Sequence, residues 1–257
     1  MSCDPAIARD AWSPRPDGTA CAAGQICEAS ACVAKCLIGG VFYAADAANP
    51  ANDCQQCDPA VSTTDWSPRA LVTLLVGGVD ISTQGWSTVG GQPNSLTYGP
   101  DYVRVATSTT AGASTSGALL LVRPAAYDAA QPFRFRVEAL VESASPHNPF
   151  DSGAAILGAF TAPFGNGAER AQMVFLDGAA VGWADNSQSA PVAVLNQYRT
   201  YELSIEAGGV ARFRVDGVAL LTRNNFAANG TIAIGDQTND SNVDGVMRIR
   251  SVSKVCP

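Results

Sequence analysis

No cysteine occurs between Cys57 and Cys256, and all 257 residues hold one histidine, His147, and two lysines, Lys35 and Lys254. His147 lies in the proline-bounded run Ser145-Pro146-His147-Asn148-Pro149, and no Gly-x-Ser-x-Gly nucleophile elbow is present for it to serve. It therefore reads as a surface loop residue. No phosphate-binding glycine loop follows a strand and opens a helix, since Gly90-Gly91 and Gly165-Asn166-Gly167 precede only coil or strand. No basic stripe runs along the chain, whose net charge is -7 and pI about 4.6. Nucleic acid and anionic membranes both require such a stripe, so neither is expected as a partner. The longest apolar run, Leu71 to Val76, is far too short to cross a bilayer, which excludes direct insertion through a helix. Met1-Ser2-Cys3-Asp4 has neither the charged start nor the apolar run of a secretory signal, so a signal, if the protein is secreted, is absent from this chain.

Cysteine is instead crowded at the start: Cys3, Cys21, Cys27, Cys32, Cys36, Cys54 and Cys57 precede residue 58, and Cys256 stands alone at the end. The segment they occupy has little to bury beyond Trp12, Ile26, Leu37, Ile38, Val41, Phe42, Tyr43 and Trp66. Such a small core is held chiefly by cross-links, so all eight cysteines are expected in disulfides formed in an oxidising compartment, secreted or at the cell surface. Zinc is disfavoured, because Cys54-x-x-Cys57 has no second pair and the only histidine is distant. Parity then requires Cys256 to bond into the cysteine-rich segment. A frame repeats there: CDPAIARDAWSPR begins at Cys3 and CDPAVSTTDWSPR at Cys57. Cys3 is followed eighteen residues later by Cys21, whereas the matching position after Cys57 is Leu75. Cys57 thus lacks that local partner and is the expected mate of Cys256. Trp12 and Trp66, each before Ser-Pro in the repeated frame, are expected to pack on a disulfide or proline.

From Ala70 the character changes to short alternating runs between glycine, asparagine and aspartate turns, with no helix of useful length. In Tyr198 to Leu221 two strands meet at Gly208-Gly209: Tyr201, Leu203, Ile205 and Ala207 share one face, and Glu202, Ser204 and Glu206 the other. In the return strand Ala211, Phe213 and Val215 oppose Arg212, Arg214 and Asp216, before Asp216-Gly217 offers a second turn. Phe133 to Glu142 reads as a long strand with one dry and one charged face, and Asp177-Gly178 closes a hairpin. Further strands are expected at Leu71 to Val76, Tyr102 to Thr107, Gly117 to Val122, Ala154 to Phe160, Gln172 to Leu176, Ala179 to Ala184, Thr231 to Gly235 and Val246 to Val255. The expected fold is all-β: an antiparallel sandwich over residues 70-257 behind a small loop-rich, disulfide-rich module over residues 1-69.

Two resemblances refine this. Cys-Asp-Pro-Ala, Trp-Ser-Pro-Arg, Asn-Pro-Ala-Asn-Asp-Cys and Gly-Thr-x-Cys make residues 3 to 69 resemble the tandem cysteine-rich repeats of large secreted or surface proteins of bacteria such as myxobacteria. That likeness implies a stalk or spacer within a larger repeat-containing surface protein. The order of GWSTVGGQPNSLTYGPDYVRVAT, a long charged strand, the Asp-Gly hairpin, YELSIEAGGVARFRVDG and a closing IAIGDQTNDSNVDGVMRIRSV looks like a concanavalin A-like, laminin-G-like jelly roll over about residues 71 to 257. Such domains are lectin-like binding modules or glycoside hydrolases.

Three site candidates follow. Hydrolysis needs paired carboxylates about 5 Å apart, or about 6.5 to 9.5 Å with inversion. The Glu-x-Asp-x-(x)-Glu arrangement of sandwich-fold glucanases is absent, and Glu138 and Glu142, four residues apart on one strand face, should stand about 13 Å from each other. They read as a solvated face paired with Arg134 and Arg136. Asp236, Asn239, Asp240, Asn242 and Asp244 have the alternating oxygens of a calcium loop, but Ser251 stands where an EF-hand needs glutamate, and the same residues serve ordinary turns. The laminin-G-like resemblance keeps calcium as an expected cofactor. For sugar binding the best set is an aromatic beside hydrogen-bonding groups, Trp183 with Asp185 and Asn186. Trp183 shares parity with Val181, which favours a buried core tryptophan over an exposed platform. Trp86 near Asn94 is a second such set. The expected role is a non-catalytic extracellular binding or adhesion protein whose partner is a glycan or surface protein, with carbohydrate bound by the sandwich. A surface spacer without a sugar site and a divergent glycoside hydrolase are the alternatives.

Overall fold

The computed structural model describes residues 15-90, 96-107, 117-161, 172-238, 240 and 242-257. Cys3, Trp12, Asn94 and Asn239, singled out above, lie outside these. The chain forms two compact units, one of Met1–Val72 with Cys256–Pro257 and one of Thr73–Val255.

The first unit is built from eight short strands: β1 (Ala20–Ala22), β2 (Gln25–Glu28), β3 (Ala31–Val33), β4 (Lys35–Ile38), β5 (Val41–Ala44), β6 (Ala48–Asn49), β7 (Asn52–Gln56) and β8 (Ser67–Pro68). They make three separate antiparallel sheets, β1-β2-β3, β4-β5 and β6-β7-β8. Sheets of two or three short strands bury little, and here the buried set is Ile26 with Cys27, Cys36 and Cys57. Cross-links supply the rest: Cys21–Cys32, Cys36–Cys57 and Cys54–Cys256. The expected Cys57–Cys256 bond is thereby corrected. Cys57 is fully buried and bonded to Cys36 of β4, whereas the Cys54 carbonyl accepts from Arg69 and the Cys256 amide donates to Ala70. Cys54 and Cys256 are thus both anchored on the Arg69-Ala70 backbone, which brings them together. Cys27 is buried and forms no disulfide among the described residues, which leave out Cys3. Trp66 packs on Tyr43, with ring centroids 4.6 Å apart. On denaturation without reductant, alkylation and peptide mapping should leave the six bonded cysteines unlabelled. Labelling of Cys36 or Cys57 would overturn the assignment.

The second unit is an antiparallel β-sandwich of two sheets. Its strands are β9 (Leu71–Val76), β10 (Ser87–Gly90), β11 (Leu96–Tyr98), β12 (Val103–Ala106), β13 (Leu119–Arg123), β14 (Phe133–Ala144), β15 (Ala155–Leu157), β16 (Val174–Leu176), β17 (Ala180–Trp183), β18 (Ser189–Pro191), β19 (Tyr198–Ile205), β20 (Ala211–Val215), β21 (Val218–Arg223), β22 (Ile232–Asp236) and β23 (Gly245–Val255). One sheet has the order β10-β13-β22-β15-β16-β17-β18, and the other β11-β12-β23-β14-β19-β20-β21 with β9 also on β23. Sequence-adjacent strands repeatedly change sheet, as a jelly roll requires.

Period-two alternation decides the second sheet. Phe133, Phe135, Val137, Ala139 and Val141 of β14 are buried, opposite Ile205, Leu203 and Tyr201 of β19, which in turn oppose Ala211, Phe213 and Val215 of β20. Asp216 and Gly217 both have positive φ, the backbone that a two-residue hairpin needs, and β20 returns directly as β21. The first sheet does not alternate: β13, β15, β16 and β22 are buried on nearly every residue. Both faces of that sheet are covered, so its strands read as short apolar runs instead of amphipathic ones.

Candidate ligand-binding site

Trp183 ends β17, and the chain turns through Ala184 to Gln188 before β18. Asp185 makes the turn: its carboxylate accepts from the Ser187 amide at 3.1 Å and the Ser187 hydroxyl at 2.7 Å, while Asn186 takes φ +58° and donates its amide to the Trp183 carbonyl. The edge strand of the other sheet comes alongside. Arg223 Nη2 of β21 donates to Asp185 at 2.6 Å and to Ser187 Oγ at 2.8 Å. Gln188 accepts from the Thr222 amide at 2.8 Å and donates to the Leu220 carbonyl at 3.4 Å. These side chains fasten β18 to β21 and leave an open cleft of about 560 Å³ lined by Asp185, Ser187, Gln188, Thr222, Arg223 and Asn224. Burial alone would raise the Asp185 carboxyl, but hydrogen bonds from Arg223 and Ser187 outweigh it and hold it below its ordinary value. The cleft is thus walled by an ionised carboxylate, a guanidinium and amide groups.

Trp183 is beneath this cleft, not in it. Its ring is wholly buried, tilted on Phe226 at 6.3 Å, with the Arg223 guanidinium over its face at 4.9 Å. Trp183 is thus the buried core tryptophan of the two readings and not a stacking platform, and it orients Arg223 by a cation–π contact. Asn186 is also turned away. Its Oδ1 lies 2.6 Å from His147 Nε2, while His147 Nδ1 lies 2.6 Å from Asp177 and the imidazole stacks on Phe175 at 3.6 Å. The expected surface histidine is therefore a packed strut between the loop after β14 and the turns that end β16 and β17. No periodicity marks a loop residue, so nothing in the sequence signalled this. Arg223, Gln188 and Thr222 were missed too, because β21 lacks the alternation that reveals a strand. Trp86 is buried, its Nε1 donating to the Leu74 carbonyl at 2.7 Å.

In the acidic loop the described carboxylates Asp236 and Asp240 already have partners. Asp236 is 1 % exposed and its carboxylate is engaged by the Thr107 hydroxyl and the Thr238 amide. Asp240 accepts from the Asn242 amide and side chain at 2.9 Å and from Asn148 at 3.2 Å. Asp236 and Asp240 thus serve both the local turns and contacts to the distant Thr107 and Asn148. Among the described residues no group of three or more histidine, cysteine, aspartate or glutamate side chains could hold a metal ion. Asp244, near enough to raise the Asp236 carboxyl, joins no such group.

Glu138 and Glu142 are engaged by arginines, though not by Arg134 and Arg136. Glu138 accepts from Arg250 at 2.8 Å, and Glu142 is held between Arg104 and Arg248. Hydrogen bonds from Arg104, then from Arg248, keep the Glu142 carboxyl below its ordinary value. Arg134 and Arg136 instead meet Glu202.

No family model matches the chain, and no curated protein does. Among solved structures, a carbohydrate esterase of the Shiga toxin-encoding bacteriophage phi24B aligns at 17% identity over 73% of this chain and 100% of its own, with TM-score 0.48. The carbohydrate recognition domain of Emp47p aligns at 11% identity over 72% and 96%, with TM-score 0.46. The exoplasmic/lumenal domain of VIP36, in a Ca2+/Man-bound form, aligns at 10% identity over 66% and 82%, with TM-score 0.45. Likeness at this level concerns sandwich shape and says nothing of ligands.

Proposed function

We propose that the sandwich is a non-catalytic carbohydrate-binding domain that takes its ligand in the cleft between β18 and β21, and that the disulfide-bonded first unit is a spacer of a secreted or surface protein. The observation that carries this reading is the Asp185–Arg223 pair with Gln188 beside it. A carboxylate oxygen accepts from one sugar hydroxyl while an amide or guanidinium donates to its neighbour, the pairing that vicinal hydroxyls demand. The turn before β18 and the edge strand β21, fastened to each other by hydrogen bonds, hold these groups. The three disulfides among the described residues fit an oxidising compartment, and among those residues no helix is long and apolar enough to cross a membrane.

A glycan array, followed by titration of the best glycan, tests the cleft. Asp185→Asn with Gln188→Ala should weaken binding roughly tenfold to a hundredfold, since hydrogen bonds to a charged group contribute about 1.5–3 kcal/mol each. An array without a ligand, or equal affinity of the variant, would remove the cleft from the account. Release of reducing sugar from the bound polysaccharide would replace the reading with a hydrolytic one.

A further inference from the structure

The outer face of the β11-containing sheet collects arginines that are scattered in sequence. Across β23-β14-β19-β20 the register sets Ser253, Arg136, Glu202 and Arg214 in one row. The adjacent row is Arg134, Ser204, Arg212 and Thr222, continuing into β21. Since β14 and β20 are two strands apart and the rows two residues apart, Arg134, Arg136, Arg212 and Arg214 stand near the corners of a rectangle roughly 10 Å by 7 Å. Glu202 lies between them, accepting from Arg136 at 3.0 Å and Arg214 at 3.4 Å, with Arg134 at 4.0 Å. Glu206 takes Arg212 at 2.8 Å.

Two carboxylates do not satisfy four guanidiniums. Each guanidinium has about five N–H donors and each carboxylate about four acceptor sites. Donors therefore remain over on the exposed side chains of Arg134, Arg136 and Arg212. Depth sorts the two signs around Glu202 as well. The Glu202 side chain is 10% exposed, against 43% for Arg134 and 42% for Arg136, so solvent meets those cations above it, whereas Glu206 and Arg212 are both at the surface.

We propose that this face is a second binding site, separate from the cleft, for an anionic polysaccharide whose carboxylates or sulfates seat among Arg134, Arg136, Arg212 and Arg214. Charge complementarity selects an anion, and the fork of guanidinium donors suits a planar or tetrahedral oxyanion group. On the same face Ser253, beside Arg136, offers a hydroxyl to the polyhydroxylated backbone. A nucleic acid is the poorer match. Its charge recurs about every 1.7 Å of duplex, which this patch could neutralise only locally while a chain of net charge -7 repels the remainder.

The test is binding of the whole protein to polygalacturonate, dextran sulfate, uncharged dextran and a single-stranded oligonucleotide, each at low and high salt. Binding to one or both acidic polysaccharides, weakened by salt, with none to dextran, is expected, and the two polymers tell carboxylate from sulfate. Arg134→Gln with Arg214→Gln should lower that affinity roughly tenfold or more, while Arg15→Gln with Arg69→Gln, the same charge change in the first unit, leaves it intact. Should the first pair unfold, as a thermal melt would show, Arg212→Gln carries the test with a several-fold loss, its partner Glu206 being exposed. Affinity for the array glycan must survive these changes, so failure here is distinct from failure of the cleft. Absence of binding to both acidic polymers, equal loss in the first-unit control, or an oligonucleotide bound as tightly as they are would each overturn the proposal.

Discussion

Replacing Cys54 and Cys256 together by serine should destabilise the first unit more than removing either of the other two bonds. The three disulfides close segments of very different length, with sequence separations of 11, 21 and 202. In the chain-entropy account a cross-link stabilises by restricting the unfolded chain, by about 3 kcal/mol for the shortest of these loops and about 5 kcal/mol for the longest. The first unit has little else to set against that loss, because its three sheets are of two or three short strands. The chain also leaves this unit at Val72 and rejoins it only at Cys256, so the bond ties a terminus that would otherwise depend on the backbone hydrogen bond from Cys256 to Ala70. Chemical denaturation of the three paired Cys→Ser variants, followed by the fluorescence of Trp66 against Tyr43, gives the order directly. If the Cys21, Cys32 variant were the least stable, or if peptide mapping joined Cys57 to Cys256, the assignment and its energetic reading would both fail.

What the sequence disclosed and what it hid divide along one physical line. Strands with one wet and one dry face announce themselves, and β14, β19 and β20 stood where their alternation put them. Strands buried on both faces, β13, β15, β16 and β22, were legible as short apolar runs, whereas strands at a sheet edge neither alternate nor run apolar. Thus β10, β11, β18 and β21 were not anticipated, and with β21 went Arg223 and half of the cleft wall. Turn chemistry was legible wherever it is local, as at Gly208-Gly209 and Asp216-Gly217. Properties that arise between strands were not. A search along the chain finds no basic stripe, yet the strand order gathers Arg134, Arg136, Arg212 and Arg214 onto one face. Glu202 read as an exposed residue by parity and is 7% exposed, because those arginines cover it. Cysteine pairing failed for a related reason: the repeat described which cysteine lacked a sequence-local mate, whereas the bonds follow which sulfurs the Arg69-Ala70 backbone brings together.

Asp236→Asn should stabilise the sandwich at alkaline pH and leave it nearly unchanged under acid conditions. Asp236 is buried at the end of β22, and burial, assisted by the charges of Asp244 and Asp151, pushes its carboxyl from 3.8 up to about 7 despite hydrogen bonds from Thr107 and Thr238. The native state therefore holds this proton more tightly than the unfolded chain does. Below about pH 4 both states are protonated and nothing is lost. Between pH 4 and 7 the unfolded chain alone releases the proton, so stability falls as pH rises, and above 7 the whole penalty is present, up to about 4 kcal/mol for three pH units. Asparagine keeps the shape and the neutral charge at every pH. Its Oδ1 can accept from the Thr238 amide as Asp236 does, and its Nδ2 can donate to Thr107 Oγ1, which also accepts from the Gly245 amide at 3.2 Å. Denaturation of the two proteins from pH 4 to 8 with a chelator present should show curves that coincide at the acid end and part progressively toward pH 8, with the variant above. A variant less stable than the parent at pH 8, or a difference independent of pH, would mean that Asp236 is folded as a satisfied carboxylate. Calcium added at pH 8 supplies a further reading: an ion bound there would hold Asp236 ionised, raise the parent protein alone, and close the gap.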